Sequence, residues 1–327
     1  LNGSCLPTPL CFTRDSEATR TWTGVVASDS AAFGKEDQRN GAQTMDPRLR
    51  SLHALGTSIA NSYRDTAAAA ILCGSVRRGT PDEYSDVDLT ILYETVTGVA
   101  AAHTRRPASA VLLRQQESDS YGIVETFVVE RTRVDVHHLP LATARRDVQA
   151  VVAADTAAAL NDQRQGLCAE LAEADAIFGG SVVEELRRPL RPYPARLGVA
   201  MIKAHAELPG RWMLVRDLQR DDLAAFYRGV IEIERRLLGL LLGLNRVYHP
   251  PNLKAIAQVC VAFRAAPLDL ASRLQRALSD PPRFGLATLD SLVAETASLE
   301  GAPTAEFKRT AATYFAIPDW VMGSDAP

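Results

Sequence analysis

Asp86 and Asp88, two residues apart, follow a Gly74-Ser75 turn and a short basic stretch, an order of residue types suited to moving a phosphate-bearing group. Residues 67–73 are apolar and few enough to be a buried strand that ends at the turn. A glycine at such a point lets backbone N–H groups approach a phosphate, and a helix starting there adds its positive end. Beyond Arg77-Arg78-Gly79-Thr80, the two aspartates lead into the run Leu89-Thr90-Ile91-Leu92-Tyr93. A strand's period of two sends both carboxylates to one face. Like charges so close imply a cation or a strongly raised pKa, and magnesium, an oxygen-seeking ion usually held by one or two carboxylates with substrate phosphates, fits. Asp135, in the strand-like run 133–139, becomes a third ligand if its strand lies beside the first. Three carboxylates suffice for two ions, one activating the attacking oxygen and one steadying the leaving group. The bland alternative puts both acids in solvent at the end of an ordinary strand, but the order of turn, acids and flanking apolar runs argues against it.

The elements that must position these groups follow from the pattern of apolar residues. Residues 47–63 read as an amphipathic helix with Leu49, Leu52, Leu55 and Ile59 along one stripe, placed to cover the sheet. Residues 96–110 give no clear period, and 111–115 read as a short strand. Residues 123–130 and 133–139 are rich in Val, Thr and Phe and form a pair of strands, followed by an Ala-rich helix over 141–160. His137 and His138 are adjacent on a strand and point to opposite faces, so at most one meets the acids. Strand packing accounts for the pair, and neither joins the metal set.

The second half is helical by its spacing. Leu223, Phe226, Val230, Ile233, Leu237, Leu240 and Leu244 recur at intervals of three and four behind an N-cap at Asp221 or Asp222, with Arg228, Glu232 and Arg235 on the other side. That seam is core-facing or, alternatively, a homodimer interface. A helix over 194–208 would carry Lys203, His205 and Glu207 toward a cleft, and 267–278 and 286–299 read as further amphipathic helices. The fold expected is α+β: a small mixed-sheet domain with flanking helices over 45–160, then an all-α domain over 161–327.

The stretch from Gly74 to Asp88 resembles the phosphate loop and metal strand of the nucleotidyltransferases of the DNA polymerase beta superfamily, and within it the aminoglycoside-modifying kanamycin nucleotidyltransferases. Gly74, Ser75, Arg78, Thr80, Tyr84, Ser85 and Asp86 match that pattern, Asp88 stands where either acid is accepted, and Arg133-Val134-Asp135-Val136 resembles the strand with the third carboxylate. A weaker similarity, over Glu207-Leu208-Pro209-Gly210-Arg211-Trp212, is to the helical segment bearing a general base and, four residues on, a basic residue for the nucleotide phosphates. Here Pro209 interrupts the helix and Arg211 replaces a lysine. The resemblance, strong over residues 67–139, implies Asp86, Asp88 and Asp135 as catalytic metal ligands and Glu207, or failing it Asp135, as proton acceptor. It implies Gly74, Ser75, Arg78, Thr80, Ser85 and Arg211 as nucleotide ligands, with Arg77 a further candidate. Two magnesium ions, a nucleoside triphosphate and a small polar acceptor, antibiotic or metabolite, complete the expectation. Transfer to a partner protein or transfer RNA and a non-catalytic nucleotide sensor are the competing readings, together with an interaction protein built on the helical half.

Composition bounds these readings. With 327 residues, 46% hydrophobic and 23% charged, the chain has the balance of a globular protein large enough for two cores. A net charge of −3 gives no positive field to draw nucleic acid, which argues against a polymerase. The five cysteines show no metal-ligand spacing and fit a reducing cytoplasm. The longest strongly apolar run, 237–244, is too short to span a bilayer, and no signal peptide is visible. Residues 1–44 lack any sustained period and are expected to be disordered, with Met45 a natural start.

Overall fold

The computed structural model describes residues 46–95, 98–99, 105–118, 122–155, 162–250, 256–299 and 304–316. The expected disordered extension, Cys5 and Cys11 lie outside them. The first helix, α1 (Pro47–Asn61), is capped by Asp46, whose carboxylate accepts the Arg48 N–H at 2.8 Å. Strand β1 (Ala69–Cys73), buried at all five positions, runs straight into the short helix α2 (Gly74–Arg78). Then come β2 (Val87–Tyr93), β3 (Val111–Ser118), β4 (Gly122–Val129), β5 (Thr132–Pro140) and the helix α3 (Leu141–Val152). The expected helix over 141–160 thus ends at Val152, and residues 156–160 lie outside the described set.

The chain returns through α4 (Asp162–Glu173) to a sixth strand, β6 (Asp175–Phe178), which falls in the stretch that reads as helical. Its four residues carry too little alternation to announce a strand. The sheet order is β3-β4-β5-β2-β1-β6, with β2 and β5 parallel and the other neighbours antiparallel. This mixed sheet with flanking helices, followed by a helical region, is the α+β class expected.

Each face of the sheet has its own core. Against α1 pack Leu72, Leu89, Ile91, Phe127 and Val136. The opposite face sets Ile71, Leu92 and Leu139 against Ala144 and Val148 of α3 and Cys168 and Leu171 of α4. It also receives α5 (Gly180–Arg187) and α6 (Ala195–His205) through Val183, Leu186, Leu197 and Met201. His138 turns to the α1 side, fully buried, where Tyr93 Oη lies 2.9 Å from its Nδ1 and Glu125 3.3 Å from its Nε2. Arg106 pairs with the same glutamate at 3.4 Å. His137 therefore faces the acids' side, and the two imidazoles do part as strand geometry requires.

The remaining helices are α7 (Arg211–Gln219), α8 (Leu223–Asn245), α9 (Ile256–Val261), α10 (Leu270–Ser279), α11 (Pro282–Ser298) and α12 (Thr304–Phe315). Asp222 caps α8, its carboxylate accepting the Ala225 N–H at 3.0 Å. Phe226, Val230, Ile233, Leu237 and Leu240 of the seam are buried within this chain's own core, and Leu223 in the first turn stays exposed. One expectation is corrected here. Helix α6 ends at His205, with Lys203 exposed and the His205 ring buried against Gly239, where an added Cβ would stand 2.4 Å from it. Neither side chain is carried toward a cleft. Among the described residues no helix is long and apolar enough to cross a membrane.

Candidate active site

The parallel pairing of β2 and β5 puts Asp88 directly beside Asp135, while the antiparallel pairing of β1 and β2 sets Cys73 on Asp88's other flank. Asp86, two residues before Asp88, shares its face. The ligand oxygens of Asp86, Asp88 and Asp135 all lie within 4.8 Å of one another, and all three side chains are half-buried. Strand register thus sets Asp88 beside Asp135, and Asp86, the residue just before β2, joins them.

The turn at the end of β1 delivers the second component. Gly74 adopts the left-handed backbone, with φ of 67°. A Cβ built there would stand 2.0 Å from Asp88 Oδ2, so a glycine is required both by conformation and by the carboxylate lying against it. Helix α2 closes at Gly79, and Thr80 N–H donates to the Ser75 carbonyl at 3.0 Å, folding the loop back on itself. Ser85 donates to Asp82 at 2.8 Å and accepts the Asp82 N–H at 2.8 Å. That hydrogen bond, with one from the Tyr84 N–H, holds the Asp82 carboxyl below its ordinary range.

All these groups open into one cavity of about 1250 Å³. Gly74, Ser75, Arg78, Thr80, Ser85, Asp86, Asp88 and Asp135 line it together, and so does His137. Residues of α4 and residues following α8 line it too, among them Gln163, Glu170 and Tyr248. Glu207 and Arg211 are not brought there. Glu207 is exposed in the segment after α6, and Arg211, at the start of α7, pairs with Asp290 of α11 at 2.7 Å. The same aspartate accepts the Tyr314 hydroxyl at 2.8 Å, so Arg211 belongs to a contact among α7, α11 and α12. Helix α6 ends at His205 and α7 starts afresh at Arg211 after Pro209-Gly210, a break that the six-residue similarity does not register.

Among the charged groups lining the cavity that escaped the sequence are Arg133, Glu170 and Asp147. Arg133 lies 2.6 Å from Asp135 and 3.9 Å from Asp86, and the hydrogen bond to Asp135 tightens its hold on its proton. Its position two residues before Asp135 on a strand was a signal that could have found it. Glu170 of α4 accepts the Gly74 N–H at 3.4 Å and stands 3.7 Å from Arg78. Burial pushes its carboxyl up while Arg78 draws it down. Asp147 of α3 is almost fully buried, 3.2 Å from Arg164, and burial likewise raises its carboxyl. Neither glutamate nor buried aspartate had a local pattern to betray it.

A group of oxygen donors only, held close by strand register beside an Arg guanidinium that offsets part of their charge, fits a hard divalent cation. Residues 60–153 match the family model of the nucleotidyltransferase domain. Residues 160–254, which include β6 and α4, match that of a domain of unknown function, DUF4037. Among solved structures, a nucleotidyltransferase-like protein from Exiguobacterium sibiricum is 14% identical over 80% of this chain and 78% of that chain, with a TM-score of 0.36. No curated protein matches the chain.

Proposed function

We propose that this chain, a nucleotidyltransferase by the domain it carries, moves a nucleoside monophosphate from a nucleoside triphosphate to a hydroxyl of a small polar molecule, an aminoglycoside-like antibiotic or a metabolite. The observation that carries the reading is the convergence of Asp86, Asp88 and Asp135 within 4.8 Å against the Gly74 turn. The same proposal divides the chain into a nucleotidyltransferase domain over 45–160 and a helical domain over 161–327, with α4 and β6 at the start of the latter completing the sheet and the loop of the former.

Asp86, Asp88 and Asp135 would hold two magnesium ions, which supply charge neutralisation of the triphosphate and a lowered pKa for the attacking hydroxyl. The Gly74-Ser75 turn, Arg78 and Thr80 hold the phosphates, and Ser85 fixes the turn that leads into the acids. The acceptor oxygen bonds to the α-phosphorus as the bond from that phosphorus to the β-phosphate oxygen breaks, and pyrophosphate leaves. The acceptor proton goes to Asp135, which lines the cavity together with His137 of the same strand. Positioning and fixed charge are where most of the acceleration in such transfers arises. A volume of about 1250 Å³ accommodates a nucleotide together with a second small molecule.

Incubation of the full chain with magnesium and each labelled triphosphate, against aminoglycosides, lincosamides, total RNA and lysate protein, is expected to place the label on a small molecule. Label found only on RNA or protein would overturn the acceptor class. Glu207 separates two proton routes. Glu207→Gln is expected to leave kcat within about twofold, because an exposed residue off the cavity has no reach to a bound hydroxyl. A tenfold or larger fall in the single-turnover rate would return the proton to Glu207.

A further inference from the structure

Helix α4, from the segment that matches no family of known function, presses its carboxylates onto the phosphate loop. Glu170 Oε2 takes the Gly74 N–H at 3.4 Å and Oε1 lies 3.7 Å from Arg78. One turn on, Glu173 pairs with Arg77 at 2.7 Å, and its carbonyl accepts from the same guanidinium. A backbone N–H at a glycine turn and an arginine fork are the donors that phosphate oxygens select. In this chain a carboxylate already accepts from the first and forms an ion pair with the second.

The arrangement is fixed on the protein side. Cys168 and Leu171, flanking Glu170 on α4, are fully buried in the core, and the Glu170 side chain is 14% exposed. Expelling the carboxylate therefore requires only its own torsions to turn, with the helix left in place. Two anions do not share one donor set without repulsion, so an entering phosphate and Glu170 exclude each other.

We infer that Glu170 occupies the seat of a nucleotide phosphate, holding Gly74 and Arg78 in their binding shape, and is displaced from them when the triphosphate enters. Glu170 is then an affinity-setting element supplied from outside residues 60–153, and it sets how tightly the site takes polyphosphate. The inference rests on the proposed function, since it needs the Gly74 loop to be the phosphate site.

The test is calorimetric titration of the full chain with ATP, GTP, CTP and UTP, each with magnesium, and with inorganic tripolyphosphate, which has no base. Glu170→Gln keeps the size and an acceptor for Gly74 but removes the charge. It is expected to tighten the best-bound triphosphate and tripolyphosphate alike by about tenfold. Glu170→Asp, which retains the charge but withdraws it from the loop, gives a smaller tightening and keeps the question answerable if the Gln variant does not fold. Glu173→Gln removes the same charge one turn away and is expected to change affinity less than about twofold. Unchanged or weaker binding in the folded Glu170 variants overturns the inference. Equal tightening in Glu173→Gln also overturns it, by reducing the effect to general electrostatics. If the wild-type chain and every variant bind no triphosphate and no tripolyphosphate, the proposed function falls too, whereas wild-type binding without tightening sinks only the role of Glu170.

Discussion

Asp86→Asn and Asp88→Asn are each expected to cut pyrophosphate release by at least about a hundredfold, more than loss of an outer-shell partner of a metal ligand usually costs. By the rate-to-barrier conversion that is about 2.7 kcal/mol of transition-state stabilisation. The loss comes from chemistry and not from folding. The three acids are half-buried, face a cavity, and repel one another across 4.8 Å or less, so removing one charge relieves the native state. Thermal unfolding of both variants should accordingly match or slightly exceed that of the parent chain, while calorimetry shows weakened binding of manganese or magnesium. Full turnover in both variants would remove the acids from the reaction. A fall in turnover accompanied by early unfolding would make them structural.

Gly74→Ala is the second large effect. The left-handed backbone at φ 67° disfavours any Cβ by about 1–2 kcal/mol, and here the added carbon meets Asp88 Oδ2 at 2.0 Å. Two adjustments are open: the loop shifts and withdraws its N–H from the phosphates, or Asp88 rotates away from Asp86 and Asp135. Either disorganises the site, so kcat/KM is expected to fall by about a hundredfold or more, with the melting temperature lowered by a few degrees. An alanine variant with normal turnover and normal affinity would show that the turn and the carboxylates are not one unit. Ser75→Ala, by contrast, adds no atom and is the natural comparison.

The parts of the site that could be read from the sequence are those carried by strand periodicity. Asp86 and Asp88 share a face because they are two apart, and residues 133–139 alternate clearly enough to place Asp135 on a strand. That this strand neighbours β2, in parallel register with Asp135 beside Asp88, is a tertiary fact, and the resemblance to the superfamily supplied the expectation. The α8 seam was equally legible, since seven apolar residues at helical spacing leave little choice of buried face. Glu170 was not legible. It is 96 residues from Gly74, on a helix whose apolar and polar residues have almost no segregation, and no local rule pairs it with a turn so distant. Arg133 lay between these cases: the alternation that exposes Asp135 exposes Arg133 equally, but an arginine ahead of an acid reads as a solvated strand end. The six residues from Glu207 to Trp212 illustrate the opposite hazard, a short match without a period that spans the break between two helices and whose Arg211 is bound to Asp290.

Strand β6 lies outermost on the sheet, against β1, and the helix before it carries the carboxylates that tie down Arg77 and Arg78. A truncated protein ending shortly after α3 would therefore keep its acids yet lose the cover of β1. Its backbone donors and acceptors would be left as a sticky rim prone to pairing with other molecules. The unit of inheritance here is wider than the recognisable module. Grafting, shuffling or swapping at residue 153 cuts through a shared structure, and any engineered chimera of this scaffold needs its crossover placed beyond Phe178.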